Sequence, residues 1–274
     1  MKSLLFVTSD SSGEHPVRVD ESAREAAVAR TDITQTIHRY VLEGSAEHAE
    51  SLPKEGYFGT FFDLMKASVS VGGSEFGLGM TLFSLVVSTR AATIVETGRF
   101  KGFSALALAG GLKFLDECKQ IEPAEFQQRP DVNYEEWEAP KKRKLYSIDI
   151  APTDDAENLI KRAGLDTYVE RLNGPSVKVP LPEGTVFDLA FIDGDHGYEA
   201  CEADINRFTE MLRPGGLFIL HDYFGWYHQG RNMSPIKQVA DKISMNRFKQ
   251  HVLIDTGYPS LMVFRKPNPK TDTQ

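Results

Sequence analysis

Short apolar segments closed by turn residues recur through the second two thirds of the chain: Ala92 to Glu96, Lys144 to Ile150, Tyr168 to Leu172, Phe187 to Ile192 and Gly216 to Leu220. Their length and flanking Gly, Pro, Asn and Asp predict strands. Helical spacing lies between them. An Ala/Leu-rich run continues from Ser104 to Leu115, a second helix is expected from Asp154 to Ala163, and Tyr198, Cys201, Ile205, Phe208 and Leu212 mark one face of a third. That third helix should stop at Arg213-Pro-Gly-Gly216. Strands alternating with helices in this way specify a mostly parallel sheet covered on both faces, with right-handed crossovers. The end of the chain breaks the pattern. His251 to Asp255 and Ser260 to Arg265 are joined by Thr256-Gly-Tyr-Pro259, too short for a crossover, and so predict an antiparallel hairpin.

The first 90 residues read differently. Polar helical spacing in Glu21 to Arg30 and around Ile37 to Leu42 predicts two or three short N-terminal helices. Aromatic and apolar residues then cluster at Phe58, Phe61, Phe62, Leu64 and Met65, and a glycine-rich stretch, Gly72 to Gly79, opens another helix through Val87. Residues 1–90 are therefore expected as a helical segment serving as lid or oligomer contact, and 91–266 as the core. Asp116 to Arg143, acidic, aromatic and holding Pro123, Pro130 and Pro140, reads as an insertion at 116–143; 267–274 is a polar tail.

A length of 274 residues suits one large α/β unit, and 41% apolar with 26% charged residues is ordinary for a globular protein. No window reaches the roughly 18 consecutive apolar residues of a membrane helix, and Leu4 to Val7 is too short for a secretory core. Cys118 and Cys201 form no redox or zinc pattern, which fits a reduced, cytoplasmic protein. A net charge of -8 opposes phosphate-backbone binding, so no nucleic-acid partner is expected; the basic run Lys141 to Lys144 reads as a solvated loop.

Candidate chemistry sits where strands end. The first strand runs into Ile94-Val-Glu-Thr-Gly-Arg-Phe-Lys-Gly-Phe-Ser104, whose glycine at a strand-to-helix turn allows close approach of a ligand to backbone N–H groups. Its glycines, Gly98 and Gly102, lack the G-x-G-x-x-G spacing of dinucleotide sites, and no G-x-x-x-x-G-K-[ST] phosphate loop occurs. Asp149, closing the second strand, could accept both ribose hydroxyls of a nucleoside or cap the next helix.

The fourth strand continues as Phe187-Asp-Leu-Ala-Phe-Ile-Asp-Gly-Asp-His-Gly-Tyr198, and the fifth as Leu212-Arg-Pro-Gly-Gly-Leu-Phe-Ile-Leu-His-Asp-Tyr223. Together with the glutamate-glycine loop, these segments resemble the class I S-adenosylmethionine-dependent methyltransferases, in particular the small-molecule O-methyltransferase group of cephamycin and macrolide sugar enzymes. The resemblance spans roughly Gly72 to Arg265 and leaves residues 1–70 and the insertion outside. It implies a Rossmann-like, doubly wound sheet of seven strands with the terminal hairpin as its antiparallel end. By the same resemblance Glu96, Gly98 and Ser104 line the methionine part of the cofactor, Asp149 binds its ribose and Ser176 lies near adenine. Asp193, His221 and Asp222 match the positions that hold a divalent metal in metal-dependent members. Asp193 also adjoins the cofactor, and His196 matches a proposed general base. An imidazole at His221 suits Mn²⁺ or Fe²⁺ better than Mg²⁺. The metal set and His196 also have a structural reading: Asp193 merely supports the cofactor, His221-Asp222 brace the loop, and His196 only hydrogen-bonds backbone.

Tyr223, Phe224, Trp226, Tyr227 and His228 could wall an acceptor pocket or pack in the core, and Cys201 belongs to the core face of its helix. The reading that follows is an S-adenosylmethionine-dependent methyltransferase acting on a small-molecule hydroxyl, with possible metal assistance and a homo-oligomeric state. The rivals are an NAD(P)-linked oxidoreductase and a non-catalytic cofactor-binding scaffold.

Overall fold

The computed structural model describes residues 64–65, 76–117, 142–223, 227–228, 231–232, 236–248, 250–255 and 260–268. The expected N-terminal helices before residue 64, the Tyr57 to Phe62 cluster, nearly all of the insertion, residues 224–226 and the 256–259 turn lie outside them.

Strands β1 (Thr93–Thr97), β2 (Lys144–Asp149), β3 (Val169–Asn173), β4 (Phe187–Ile192) and β5 (Leu212–Leu220) pair in parallel. A two-stranded ribbon, β6 (Tyr227–His228) with β7 (Arg231–Asn232), stands apart from the main sheet. The hairpin β8 (Gln250–Asp255) and β9 (Ser260–Arg265) adds antiparallel to β5 through β9. The result is a seven-stranded sheet in the order β3-β2-β1-β4-β5-β9-β8. Strand order reverses between β1 and β4, and in open α/β sheets ligands bind at that reversal, beyond the carboxyl ends of the strands.

Alternate residues of each strand enter two separate cores. Ile94, Leu189, Phe191, Ile219, Leu261 and Val263 pack under helices α1 (Phe76–Thr89), α2 (Phe103–Glu117) and α3 (Asp154–Arg162). Their neighbours Val95, Ala190, Ile192, Phe218, Met262 and Phe264 pack under α4 (Tyr198–Met211) and α5 (Ile236–Arg247). This two-sided burial makes the strands read as continuous apolar runs rather than alternating ones. Small residues let α1 and α2 approach closely: a side-chain carbon at Gly79 would lie 2.8 Å from Phe103 Cζ, and one at Gly111 would lie 2.8 Å from Val86. Of the expected α4 face, Cys201, Ile205 and Phe208 are buried and Tyr198 is partly buried, while Leu212 is buried as the first residue of β5; burial pushes the Cys201 thiol up to about 12, as an inert core thiol requires.

Two expectations shift. Asp149 does not cap α3; Thr153 does, its hydroxyl accepting from Ala156 N at 3.3 Å, ahead of acidic Asp154, Asp155 and Glu157 in the first turn. Arg213 to Gly216 stops α4 as predicted, yet it belongs to β5 rather than to a loop before it. The β4–β5 register slips there, from Phe187 opposite Leu212 to Leu189 opposite Leu217. Asp188 holds the irregular strand start by pairing with Arg213 Nε at 2.5 Å, while its other oxygen accepts from Ala92 N and Thr93 N at 2.7 and 2.9 Å. No helix among the described residues is long and apolar enough to cross a membrane.

Candidate functional site

A cavity of about 1140 Å³ opens at the β1/β4 reversal, lined by the loops that follow β1 to β4. Gly98 forms its floor. With φ +84° it sits where a side-chain carbon would lie 1.9 Å from the Asp193 carbonyl oxygen, so β1 and β4 can approach only because this residue is glycine. The ladder also continues past the strands, with Gly98 N donating to Ile148 O and Asp193 N donating to Thr97 O.

Phe100 stands at the mouth in a left-handed conformation, φ +45°, that only glycine adopts freely. Both of its backbone polar groups are gripped. Its N–H donates to Asp149 Oδ2 at 2.7 Å, and its carbonyl accepts from Thr153 Oγ1 at 2.8 Å. The other Asp149 oxygen accepts from Ala151 N at 2.7 Å. Carboxylate oxygens carry further lone pairs, so Asp149 locks two loops together and still faces the cavity as an acceptor. Phe100, Ile150 and Val177 line the same opening while 59%, 75% and 42% exposed, an apolar rim that water does not favour and a flat ring system would cover.

Beneath the floor lies a buried polar chain. Ser147 Oγ donates to Glu96 Oε1 at 2.5 Å; Arg99 Nη1 donates to Ser147 O at 2.8 Å, and Arg99 Nη2 donates to Asn173 Oδ1 at 3.1 Å. Arg99 is only 1% exposed. Burial raises the Glu96 carboxyl to about 7, despite the hydroxyls of Ser147 and Ser104 and the Arg99 charge that favour its ionised form. Glu96 and Ser104 thus lie under the cavity rather than in its lining, whereas Gly98, Asp149, Ser176 and Asp193 line it.

The β4–β5 side carries a cluster of charges. His221 Nδ1 lies 2.8 Å from Asp193 Oδ1, and His196 Nε2 lies 3.0 Å from Asp222 Oδ2 and 3.7 Å from Asp193 Oδ1. Asp222 turns toward His196 through a left-handed backbone, φ 50°. The three donor atoms brought within 4.8 Å of one another therefore come from Asp193, His196 and Asp222, with His221 bracing Asp193 from the strand. Burial would lower the His196 pKa, but the Asp222 hydrogen bond and the Asp193 and Asp222 charges outweigh it and hold it above the usual 6.5. Tyr223 packs in the core beside α5, its hydroxyl donating to Asp241 Oδ1 at 2.6 Å.

Comparison with known proteins fits this architecture. Residues 95–223 match the family model described as "Methyltransferase domain". The O-methyltransferase from Bacillus cereus, solved in complex with S-adenosylhomocysteine, shares the fold at a TM-score of 0.53 and 19% identity, covering 82% of this chain and 97% of that one. The O-methyltransferase TomG from Streptomyces achromogenes, involved in tomaymycin synthesis and solved with S-adenosylmethionine, superimposes at 0.54 with 16% identity over 82% of this chain and 96% of its own. Among curated proteins, uncharacterized protein R132 of Acanthamoeba polyphaga mimivirus is 27% identical over 81 residues, 29% of this chain and 36% of that relative's length. Fold and domain match agree: residues 95–223 match a methyltransferase domain, and the chain shares the fold of these two O-methyltransferase structures.

Proposed function

We propose that this chain transfers the methyl group of S-adenosylmethionine to a hydroxyl oxygen of a small-molecule acceptor. The observation that carries this reading is the cavity at the strand reversal, with glycine at its floor, Asp149 on one side and the Asp193–His196 pair on the other. Asp149 would receive the ribose hydroxyls, Ser176 would face the base, and Glu96 and Ser104 would support the methionine end from below. Phe100 occupies the position where a dinucleotide fingerprint needs its second glycine, which argues against an NAD(P) site.

The chemistry is an in-line displacement. The acceptor oxygen attacks the methyl carbon, the carbon–sulfur bond breaks, and its electron pair stays on sulfur as S-adenosylhomocysteine is released. The acceptor proton passes to His196. With Nε2–H donating to Asp222, Nδ1 is the basic nitrogen, and Asp222 then stabilises the imidazolium that forms. Most of the acceleration comes from holding the two reactants in line.

Asp193, His196 and Asp222 also fit a divalent ion, since two carboxylate oxygens and an imidazole nitrogen converge. That mixed donor set suits Mn²⁺ or Fe²⁺ better than Mg²⁺. A bound ion would orient the acceptor oxygen and lower its pKa. Residues 1–90 would cover the acceptor and contribute to a homo-oligomer contact.

Methyl transfer from labelled S-adenosylmethionine to a panel of sugar and phenolic acceptors tests the reading. Transfer that stops in excess chelator and returns with Mn²⁺ or Fe²⁺ would make His196 a metal ligand. Transfer that survives chelator would leave His196 as a metal-free base. Absence of cofactor binding would remove the reading altogether.

A further inference from the structure

Helix α4 carries a carboxylate on the face it buries. Cys201, Ile205 and Phe208 pack into the core, and Asp204, among them, is 2% exposed. A buried carboxylate is costly unless it is hydrogen bonded. The hydroxyl of Ser176, in the loop after β3, donates to Asp204 Oδ1. One turn further along α4, Arg207 donates to the Ser176 carbonyl and, at 2.6 Å, to the Val179 carbonyl. The Pro175 carbonyl accepts from Lys178 N and Val179 N at 2.8 and 3.1 Å. The loop is therefore fastened to α4 through its side chain and its backbone, and its carbonyls at Pro175, Ser176 and Val179 are engaged.

A hydroxyl has one proton and two lone pairs. Ser176 lines the cavity with its proton committed to Asp204, so what it offers a ligand is an acceptor. We propose that Asp204, with Arg207 holding the loop in place, fixes Ser176 as a hydrogen-bond acceptor and so makes this wall select a purine bearing a 6-amino group over one bearing a 6-oxo group. Asp204 is a positioning residue; it acts on the base through Ser176. The assignment rests on the cofactor reading above. It goes beyond that reading because it gives a helix residue outside the cavity lining control over which base is accepted. A 6-amino group can donate to Ser176, whereas a 6-oxo group presents a second acceptor and leaves both oxygens without a proton between them.

Calorimetric titration of the full chain with S-adenosylhomocysteine and with S-inosylhomocysteine, its 6-oxo analogue, tests this. The wild type should favour the amino compound by roughly tenfold or more. In Asp204→Ala the hydroxyl is free to turn, and the preference should fall toward unity while S-adenosylhomocysteine still binds. Ser176→Ala, which leaves α4 intact, should lose the preference in the same way and serves if Asp204→Ala does not fold. A wild type without preference, or variants that keep it, would overturn the assignment. Failure of the wild type to bind S-adenosylhomocysteine at all would overturn the cofactor reading, and this assignment with it.

Discussion

The two sides of the β1/β4 crevice are built differently. On the β1–β2–β3 side, polar groups are committed to the protein: Asp149 to the Phe100 and Ala151 amides, Arg99 to Ser147 and Asn173, Ser147 to Glu96. On the β4–β5 side, Asp193, His196, His221 and Asp222 crowd one another, with Asp193 and His196 facing the cavity. Under the proposed function the first arrangement would be a rigid frame for the cofactor, and the second would supply His196 as the group that takes up a proton. Substitutions on the first side should therefore act on binding, and those on the second on turnover.

The largest expected effect breaks or supports that division directly. His196→Ala should lower kcat by roughly 10²–10⁴-fold, the range for loss of a general base, while the S-adenosylhomocysteine dissociation constant stays near the wild-type value. A variant that loses cofactor affinity instead would erase the contrast between the two sides. Asp149→Ala should do the reverse. Removing the acceptor of charge-assisted bonds should weaken S-adenosylhomocysteine binding roughly 10- to 100-fold, with kcat at saturating cofactor little changed. Phe100 would also lose the partner of its N–H in a strained conformation, so a modest fall in Tm should accompany it.

A smaller effect reads the buried network through stability. The Glu96 carboxyl, raised from 4.5 to about 7 in the folded chain, binds a proton more tightly folded than unfolded. Its contribution to stability is thus present below about pH 4.5 and is lost as pH rises through about 7. Urea unfolding at pH 5 and pH 8 should show a fall in stability of up to about 3 kcal/mol from this group. Glu96→Gln should shrink that pH-dependent difference. An unchanged difference in Glu96→Gln would mean the carboxyl stays ionised throughout and that Arg99 neutralises it more completely than its geometry indicates.

The fold was legible because apolar runs and turn residues act locally. Phe187–Ile192 and Ser260–Arg265 match their expected bounds, and the other strands differ mainly by a residue or so at their ends. The exception is β5, whose start at Leu212 depends on Asp188 pairing with Arg213, a contact between strands that no local pattern carries. The candidate site was legible as far as strand ends, since residues there must face the crevice. Directions within it were not. Sequence order placed His221 and Asp222 together, but the left-handed Asp222 backbone turns its carboxylate to His196. Arg99, a charged loop residue, gave no sign of its burial, because its partners Ser147 and Asn173 lie on other strands. Asp204 did leave a signal: a carboxylate at helical spacing among Cys201, Ile205 and Phe208 implies a buried partner.

Under the proposed function the crevice between β1 and β4 holds the cofactor between a fixed side and a reactive side. A crystal structure of the full chain with S-adenosylhomocysteine and Mn²⁺ tests it most directly. The ligand should lie in this cavity, its ribose hydroxyls within hydrogen-bond reach of Asp149 and its sulfur on the side toward Asp193 and His196. A ligand bound elsewhere, or with its ribose at Asp193 and its sulfur toward Asp149, would contradict it.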